Sequence, residues 1–323
     1  MKFSTGLTSR HSTWSKAYKL ILDADEPIYE SIDNNFTLTL WEKILRDINK
    51  TSALGTSGIT YQLMFHLPSV FIEVILALYQ TIFLTGLVPK DWKFLTIFPI
   101  PKPDRFEYNI ANVRPIALLE IVRKIFTKFI STQLTDILQD HNVLCNANYC
   151  GLKGESTVSL IRLINNLIED AKENSKELWI VLQDISKAFD SISLDFLELA
   201  LIRICLPNHA VRCIINLFKG RIVQIATAFG LSPSFQAKDG IDQGDSLVAA
   251  SAYMDDTTWI DCSRNRIQHT LDMARSFYKL VDIKINYKKC ELMVINPSLP
   301  RPLLTVSLGT QEQDTIHPIQ SET

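Results

Sequence analysis

The chain is predicted to be an α+β protein, an antiparallel sheet packed on helices with carboxylates at its strand ends. Three observations carry that expectation. The apolar run Leu178-Trp179-Ile180-Val181-Leu182 has the length and residue types of a buried strand, and Asp184 follows it closely. Apolar residues 247–253 and the segment Thr257-Thr258-Trp259-Ile260 flank the acidic pair Asp255-Asp256, a pattern of strand, tight turn and strand. Residues 117–139 are helix-periodic, with Leu118, Ile121, Ile125, Phe129, Leu134 and Leu138 on one face.

Along the chain, residues 1–54 form a flank with no interpretable motif. Gly55-Thr56-Ser57-Gly58-Ile59-Thr60 is a turn-rich loop before a helical stretch. Pro68 suits the first turn of the next helix, and Gly86 and Pro89 stop it. Residues 93–100 have strand composition, while Pro99, Pro101 and Pro103 are expected to prevent regular structure around Lys102. Residues 155–174 read as a helix capped near Ser156 or Thr157. After the strand at 178–183 come helices over 194–205 and 209–219, separated by Pro207. Residues 221–229 and 235–238 suggest a β-pair, 264–281 a helix, and 291–295 a last strand. Beyond Pro297, prolines and polar residues predict a frayed, flexible tail over 297–323.

With 323 residues, 46% of them hydrophobic, the chain can bury a sizeable core as one large or two smaller domains. A net charge of −2 argues against a uniformly nucleic-acid-coated protein. The distribution is more informative. Lys90, Lys93, Lys102, Arg105, Arg114, Arg123, Lys124 and Lys128 outnumber Asp91, Asp104, Glu107 and Glu120 in one region, which fits either a solvated face or a groove for phosphates. Six cysteines show no paired zinc spacing; Cys145 and Cys150 with His141 come closest and lack a second half. They read as thiols of a reducing compartment. Residues 1–19 lack the apolar centre of a signal peptide, and Glu73, Gln80 and Thr81 interrupt the apolar run 70–88. The expectation is a soluble, intracellular protein without membrane contact, in nucleus or cytoplasm.

Tyr253-Met254-Asp255-Asp256, Asp184-Ile185-Ser186-Lys187-Ala188-Phe189-Asp190 and Gly240-Ile241-Asp242-Gln243-Gly244-Asp245 together carry more than any of them alone. An Asp-Asp turn is by itself a common solvated turn. In combination the three resemble ordered blocks of reverse transcriptases, with closest similarity to the non-LTR (LINE-type) retrotransposon polymerases. Pro101-Lys102-Pro103 and Asn112-Val113-Arg114-Pro115-Ile116 resemble the fingers segment of those enzymes, and Asn286-Tyr287-Lys288-Lys289 a later block.

The resemblance implies a polymerase palm with a helical and β fingers subdomain, lacking a full thumb: fingers-like over 55–176 and palm-like over 177–296. It implies RNA-directed DNA synthesis from an RNA template, a DNA primer and deoxynucleoside triphosphates. Two Mg2+ ions, for which Mn2+ could substitute, would sit roughly 3.5–4 Å apart. Hard cations of this kind take carboxylate oxygens. Asp184 and Asp255 are the implied bridging ligands, and Asp256 a weaker or outer participant. Phe189 stands where related polymerases crowd a ribose 2′-hydroxyl, although a core phenylalanine explains it equally well. Gln243 and Gly244 would meet the incoming nucleotide, the glycine allowing close backbone approach. Lys102, Arg105, Arg114 and Lys124 would hold triphosphate or template phosphates. Lys289 would donate a proton to departing pyrophosphate or, alternatively, is a solvated surface lysine. Asp190 reads as structural, a cap for the next helix.

Two departures bear on activity. Between Gly244 and Tyr253 the family carries a long helix and a strand, but here only residues 245–252 remain. That length makes about 12 Å of helix or about 26 Å of strand, not both. The Gln243-Gly244 loop is therefore expected to be pulled from its place, with impaired or absent catalysis. Gln183 stands where many relatives have an aromatic residue. No endonuclease block is expected before Gly55, and no ribonuclease H block after Ile295.

Overall fold

A computed structural model describes residues 28–34, 36–48, 53–102, 109, 112–143, 157–242, 245, 247, 256–309 and 314–319. Helices α1 (Leu38–Asp47), α2 (Tyr61–Phe65) and α3 (Ser69–Thr85) precede strands β1 (Phe94–Pro101) and β2 (Val113–Leu118). Helices α4 (Ile121–Asp140) and α5 (Thr157–Glu173) lead to strand β3 (Leu178–Ser186). The single turn α6 (Ala188–Ser191) and helices α7 (Leu194–Arg203) and α8 (Asn208–Phe218) follow. Then come β4 (Ile222–Thr227), β5 (Gly230–Leu231), β6 (Phe235–Gln236) and β7 (Asp256–Asp261). Helix α9 (Arg264–Leu280), strands β8 (Lys284–Ile285) and β9 (Glu291–Ile295), and the pair β10 (Val306–Ser307) and β11 (Thr315–Ile316) complete the order. The chain divides into two compact units, each discontinuous in sequence: residues 1–146 with 192–251, and residues 147–191 with 252–323.

In the first unit, local chemistry places the helix ends. Thr37 and Thr60 accept hydrogen bonds from Leu40 and Leu63, capping α1 and α2. Helix α3 starts after Pro68 and stops at Gly86, whose φ of 70° only glycine adopts readily. The apolar faces of α1, α3 and α4 meet in an aromatic core. Tyr79, fully buried, packs against Trp41, Trp92, Phe126 and Phe129 and donates its hydroxyl to the Val122 carbonyl at 2.6 Å. The accompanying sheet runs β2-β1-β4-β5, with β6 also on β4. It is mixed and not wholly antiparallel as expected, because β1 and β4 pair in parallel. A parallel neighbour requires a long connection, which the 120 or so intervening residues provide.

Two expectations about this unit need correction. The helix begins at Ile121, not at 117, because Val113–Leu118 is drawn into the ladder with β1. The prolines also do not interrupt the strand. Pro99 and Pro101 lie within β1, and the Lys102 N–H continues the ladder to the Asn112 carbonyl at 3.0 Å. That bond sets the alternation: even-numbered residues donate towards β2, whereas 99 and 101 face the other edge. There β4 reaches only as far as Ile97, so no ladder bond needs a proline N–H.

In the second unit β3 is the central strand of four. It pairs antiparallel with β7 along one edge and with β9 and then β8 along the other. Alternation along β3 sends Trp179 and Val181 into a core with Ile267, Leu271 and Leu292, while Leu178 and Ile180 pack with Ala171 and Ile295. The frayed tail is the main correction here. Leu304, Val306, Leu308 and Ile316 are buried in the Trp179 core. Gln268 of α9 both donates to the Ser307 carbonyl and accepts from its N–H, and Arg264 and Arg275 bond the Thr305 and Gly309 carbonyls. The period-two apolar spacing of 304, 306 and 308 is the signal that the surrounding prolines obscured.

Glu120 ties the Gly55–Ser57 loop to the start of α4. It accepts from the Ser57 N–H at 2.9 Å and from the hydroxyls of Thr56 and Ser57. Burial works to raise this carboxyl, but the hydrogen bonds from Ser57 and Thr56 outweigh it and hold it below the ordinary glutamate value. A lowered folded value gives stability that is present above the unfolded pKa of about 4.3 and lost as pH falls through the folded one. Glu120→Gln should therefore melt below the parent at pH 6, and the difference should shrink below about pH 4. A difference independent of pH in thermal melts would contradict this assignment.

Candidate active site

Strand β3 delivers Asp184 to the point where its pairing changes from β9 to β8. The backbone of Asp184 is the register partner of Asp256, the first residue of β7. Directly opposed residues in an antiparallel ladder stand about 4.5–5.5 Å apart at Cα. Asp255 lies outside the described residues, as do Gln243, Gly244 and Arg105.

The Asp184 carboxylate is held from the turn after β8. Asn286 donates its side-chain amide to Asp184 Oδ2 at 2.8 Å and its backbone N–H to the Asp184 carbonyl at 2.9 Å. Lys289 Nζ stands 3.4 Å from Oδ1. The Lys289 N–H bonds the Asn286 carbonyl at 2.9 Å, so one tight turn aims both side chains at one carboxylate. Sequence reasoning singled out Lys289 and passed over Asn286, although both stand in the same four-residue block.

Just before Asp184, Gln183 is buried at 3% exposure. Its Oε1 accepts from Trp259 Nε1 at 2.9 Å and from the Tyr278 hydroxyl at 3.1 Å. The residue noted as a departure is thus a satisfied polar anchor linking β3, β7 and α9. After β3, Lys187 has φ of 53°, a left-handed turn that starts α6. In α6, Ala188 joins the buried cluster with Ile185, Ala274 and Tyr278, whereas Phe189 is half-buried. Asp190 is exposed, and the N–H of Leu194 at the start of α7 bonds Asp239 instead, correcting the expected cap.

In the first unit the block around Gln243-Gly244 is anchored by a buried quartet of charges. Arg123 bonds Asp242 at 2.7 Å and Asp245 at 3.0 Å and gives its other amine to the Trp92 carbonyl at 2.7 Å. Arg221 bonds the second Asp242 oxygen and the carbonyls of Phe218, Asp239 and Gly240. Both guanidiniums lie over the Phe218 ring. The Asp245 N–H closes on the Asp242 carbonyl at 3.0 Å. Burial pushes the Asp245 carboxyl up, against the pull of Arg123; burial opposes the charge on Arg123, but its two aspartates hold it firmly protonated. This overturns one expectation, since Arg123 is no part of an open basic face; Asp242 and Asp245, on either side of Gln243-Gly244, are fastened, while those two residues themselves lie outside the described ones.

Lys102 and Arg114 are exposed at the open end of the β1–β2 ladder, where the register puts them on one face. Lys124 is on α4; its ammonium donates to the Ala53 carbonyl at 2.9 Å, and burial lowers its pKa. No group of three or more His, Cys, Asp or Glu suited to a metal stands among the described residues. None of their helices is long and apolar enough to cross a membrane.

An acid at the end of a central strand, in register with an acidic strand start and bonded from a polar turn, stands here in a protein of mixed α/β class. The family assignment is direct: the reverse transcriptase (RNA-dependent DNA polymerase) family matches residues 100–317, and the chain belongs to it. Among curated relatives, it is 24% identical over 277 residues to the Retrovirus-related Pol polyprotein from type-1 retrotransposable element R2 of Popillia japonica. That match takes in 74% of this chain and 37% of the relative. It is 27% identical over 209 residues to the probable RNA-directed DNA polymerase from transposon X-element of Drosophila melanogaster, covering 64% of this chain and 22% of the relative. It is 29% identical over 126 residues to that from transposon BS of the same fly, covering 39% and 14%. The chain thus spans well under half the length of these relatives. The R2 match is also longer than the share of this chain it takes in, so that relative has residues there without a counterpart here.

Arg123→Met should cost about 3–5 kcal/mol in urea denaturation, because it takes the cation from the buried Asp245 carboxylate and leaves Asp242 with Arg221 alone. Asp245 has a raised folded pKa, so protonation favours the folded state, and the loss should be smaller at pH 5 than at pH 8.

Proposed function

We propose that this chain is the polymerase domain of a LINE-type retroelement, extending a DNA primer 3′-hydroxyl on an RNA template with deoxynucleoside triphosphates. The observation that carries the reading is the Asp184–Asp256 register at the end of β3 in a member of the reverse transcriptase family. The names of the R2, X-element and BS relatives support the LINE-type assignment.

In this reading the four-stranded sheet is the palm, and the exposed end of the β1–β2 ladder belongs to the fingers. Asp184, Asp255 and Asp256 hold two Mg2+ ions, with Mn2+ as a substitute. Carboxylate oxygens fit such hard cations, and among the described side chains the exposed Lys289 ammonium is what approaches Asp184 Oδ1. When bound, the metal pair supplies charge stabilisation to the attacking and leaving oxygens. Phe189 crowds the ribose 2′ position, Gln243 and Gly244 meet the nucleotide, and Lys289 delivers a proton to pyrophosphate. Lys102, Arg105, Arg114 and Lys124 contact phosphates.

The eight residues 245–252 favour a second reading, a catalytically silent remnant that binds nucleic acid. Active sites tolerate about 0.5 Å of misplacement, which a missing support easily exceeds. Primer extension on an RNA template separates the two. The polymerase reading expects weak extension with Mg2+ that Asp184→Asn and Asp255→Asn each abolish; product surviving either change would remove the site. The remnant reading expects none, together with binding that weakens steeply as salt rises.

A further inference from the structure

The Asp184 carboxylate has two unequal partners, and the inequality has a use. Asn286 is tied to Asp184 twice, by its backbone N–H at 2.9 Å and its amide at 2.8 Å. Lys289 reaches the other oxygen at a loose 3.4 Å, with a side chain 65% exposed against 18% for Asp184. An amide is neutral and cannot balance the carboxylate; an exposed ammonium can, and water and salt screen it readily. The lysine nearest in sequence, Lys288, is also exposed and has no bond to Asp184 among the described contacts.

We infer that Lys289 is a resident counter-ion, filling the cation's place at Asp184 Oδ1 until a divalent ion binds, while Asn286 is a positioning residue that keeps Oδ2 engaged. The exchange therefore takes place at Oδ1 alone. On metal binding the ammonium swings out on its flexible stem, and the Asn286–Cys290 turn keeps it nearby. In the metal-free protein the pairing lowers the cost of a carboxylate held at the end of a covered strand. This assignment rests on Asp184 being a metal ligand, and it adds a competition that a proton-donor role for Lys289 does not require.

Mn2+ binding to the full chain, followed by the paramagnetic resonance of the free ion, tests it without reference to catalysis. Lys289→Gln should tighten Mn2+ about fivefold, the most an exposed ion pair is worth. Lys288→Gln should tighten it distinctly less. Asn286→Ala should weaken Mn2+ about tenfold or more, as loss of a partner behind a metal ligand does. Its melting temperature should match that of the parent. If Lys289→Gln leaves affinity unchanged or lowers it, or Lys288→Gln has the same effect, the counter-ion role is overturned. Asp184→Asn keeps the two failures apart. If it removes the Mn2+ site while Lys289→Gln changes nothing, only the counter-ion falls; if it binds Mn2+ like the parent, the polymerase site falls too.

Discussion

Both edges of β3 are hydrogen-bonded and both its faces are covered, and Asp184 sits where that confinement begins to open. Period-two alternation allows no slippage here. A shift of one residue would turn Trp179 and Val181 towards the core built for Leu178 and Ile180, and those two towards the other. The register that satisfies these four apolar residues is the one that brings Asp184 opposite Asp256. The site's geometry is thus a by-product of hydrophobic registration five residues upstream. Gln183 reinforces it, since its buried oxygen takes donors from β7 and α9 at once.

The first unit solves a similar placement problem with charge. Two arginines and two aspartates cancel, and nearly every polar atom is paired, although Arg123 Nε lacks a partner among the described residues. Apolar side chains would fill such a site at equal or lower cost, so bulk stability does not explain the quartet. Placement does. Arg221 grips the backbone of Asp239 and Gly240 and the side chain of Asp242 in one fork, while Arg123 reaches both Asp242 and Asp245 from α4. Planar forks fix direction as well as distance, which a hydrophobic contact would not.

Much of this was legible in the chain. Strand β9 falls on the residues expected, and α9, β3 and α8 lie within a few residues of theirs, because each is long or strongly periodic. The acid motifs singled out Asp184, and the block at Asn286 was singled out too, without the link between them that the fold makes. The misses share a cause: each depended on a partner far off in sequence. Arg123 looked like one cation among eight until Asp242 and Asp245 took it up from some 120 positions away. The stretch 304–308 looked like a tail because its partners, Ile267, Leu271 and Gln268, belong to another element. Pro99 and Pro101 seemed to forbid a strand because only the pairing reveals which edge their missing N–H faces.

The shortened segment has to be weighed with each unit's own core in view: the Tyr79 aromatics in one and the Trp179 cluster in the other. Loss of a supporting helix leaves these described apolar partners in place. The effect on chemistry is different in kind. On the proposed reading, two-metal transfer needs Asp255 fixed relative to Asp184 within a fraction of an ångström, and the described strand β7 begins at Asp256. The preceding strand and helix would have fixed it from the other side. On the proposed reading, deleting them leaves the second acid held from one direction, and the expected result is loss of catalysis before loss of the fold.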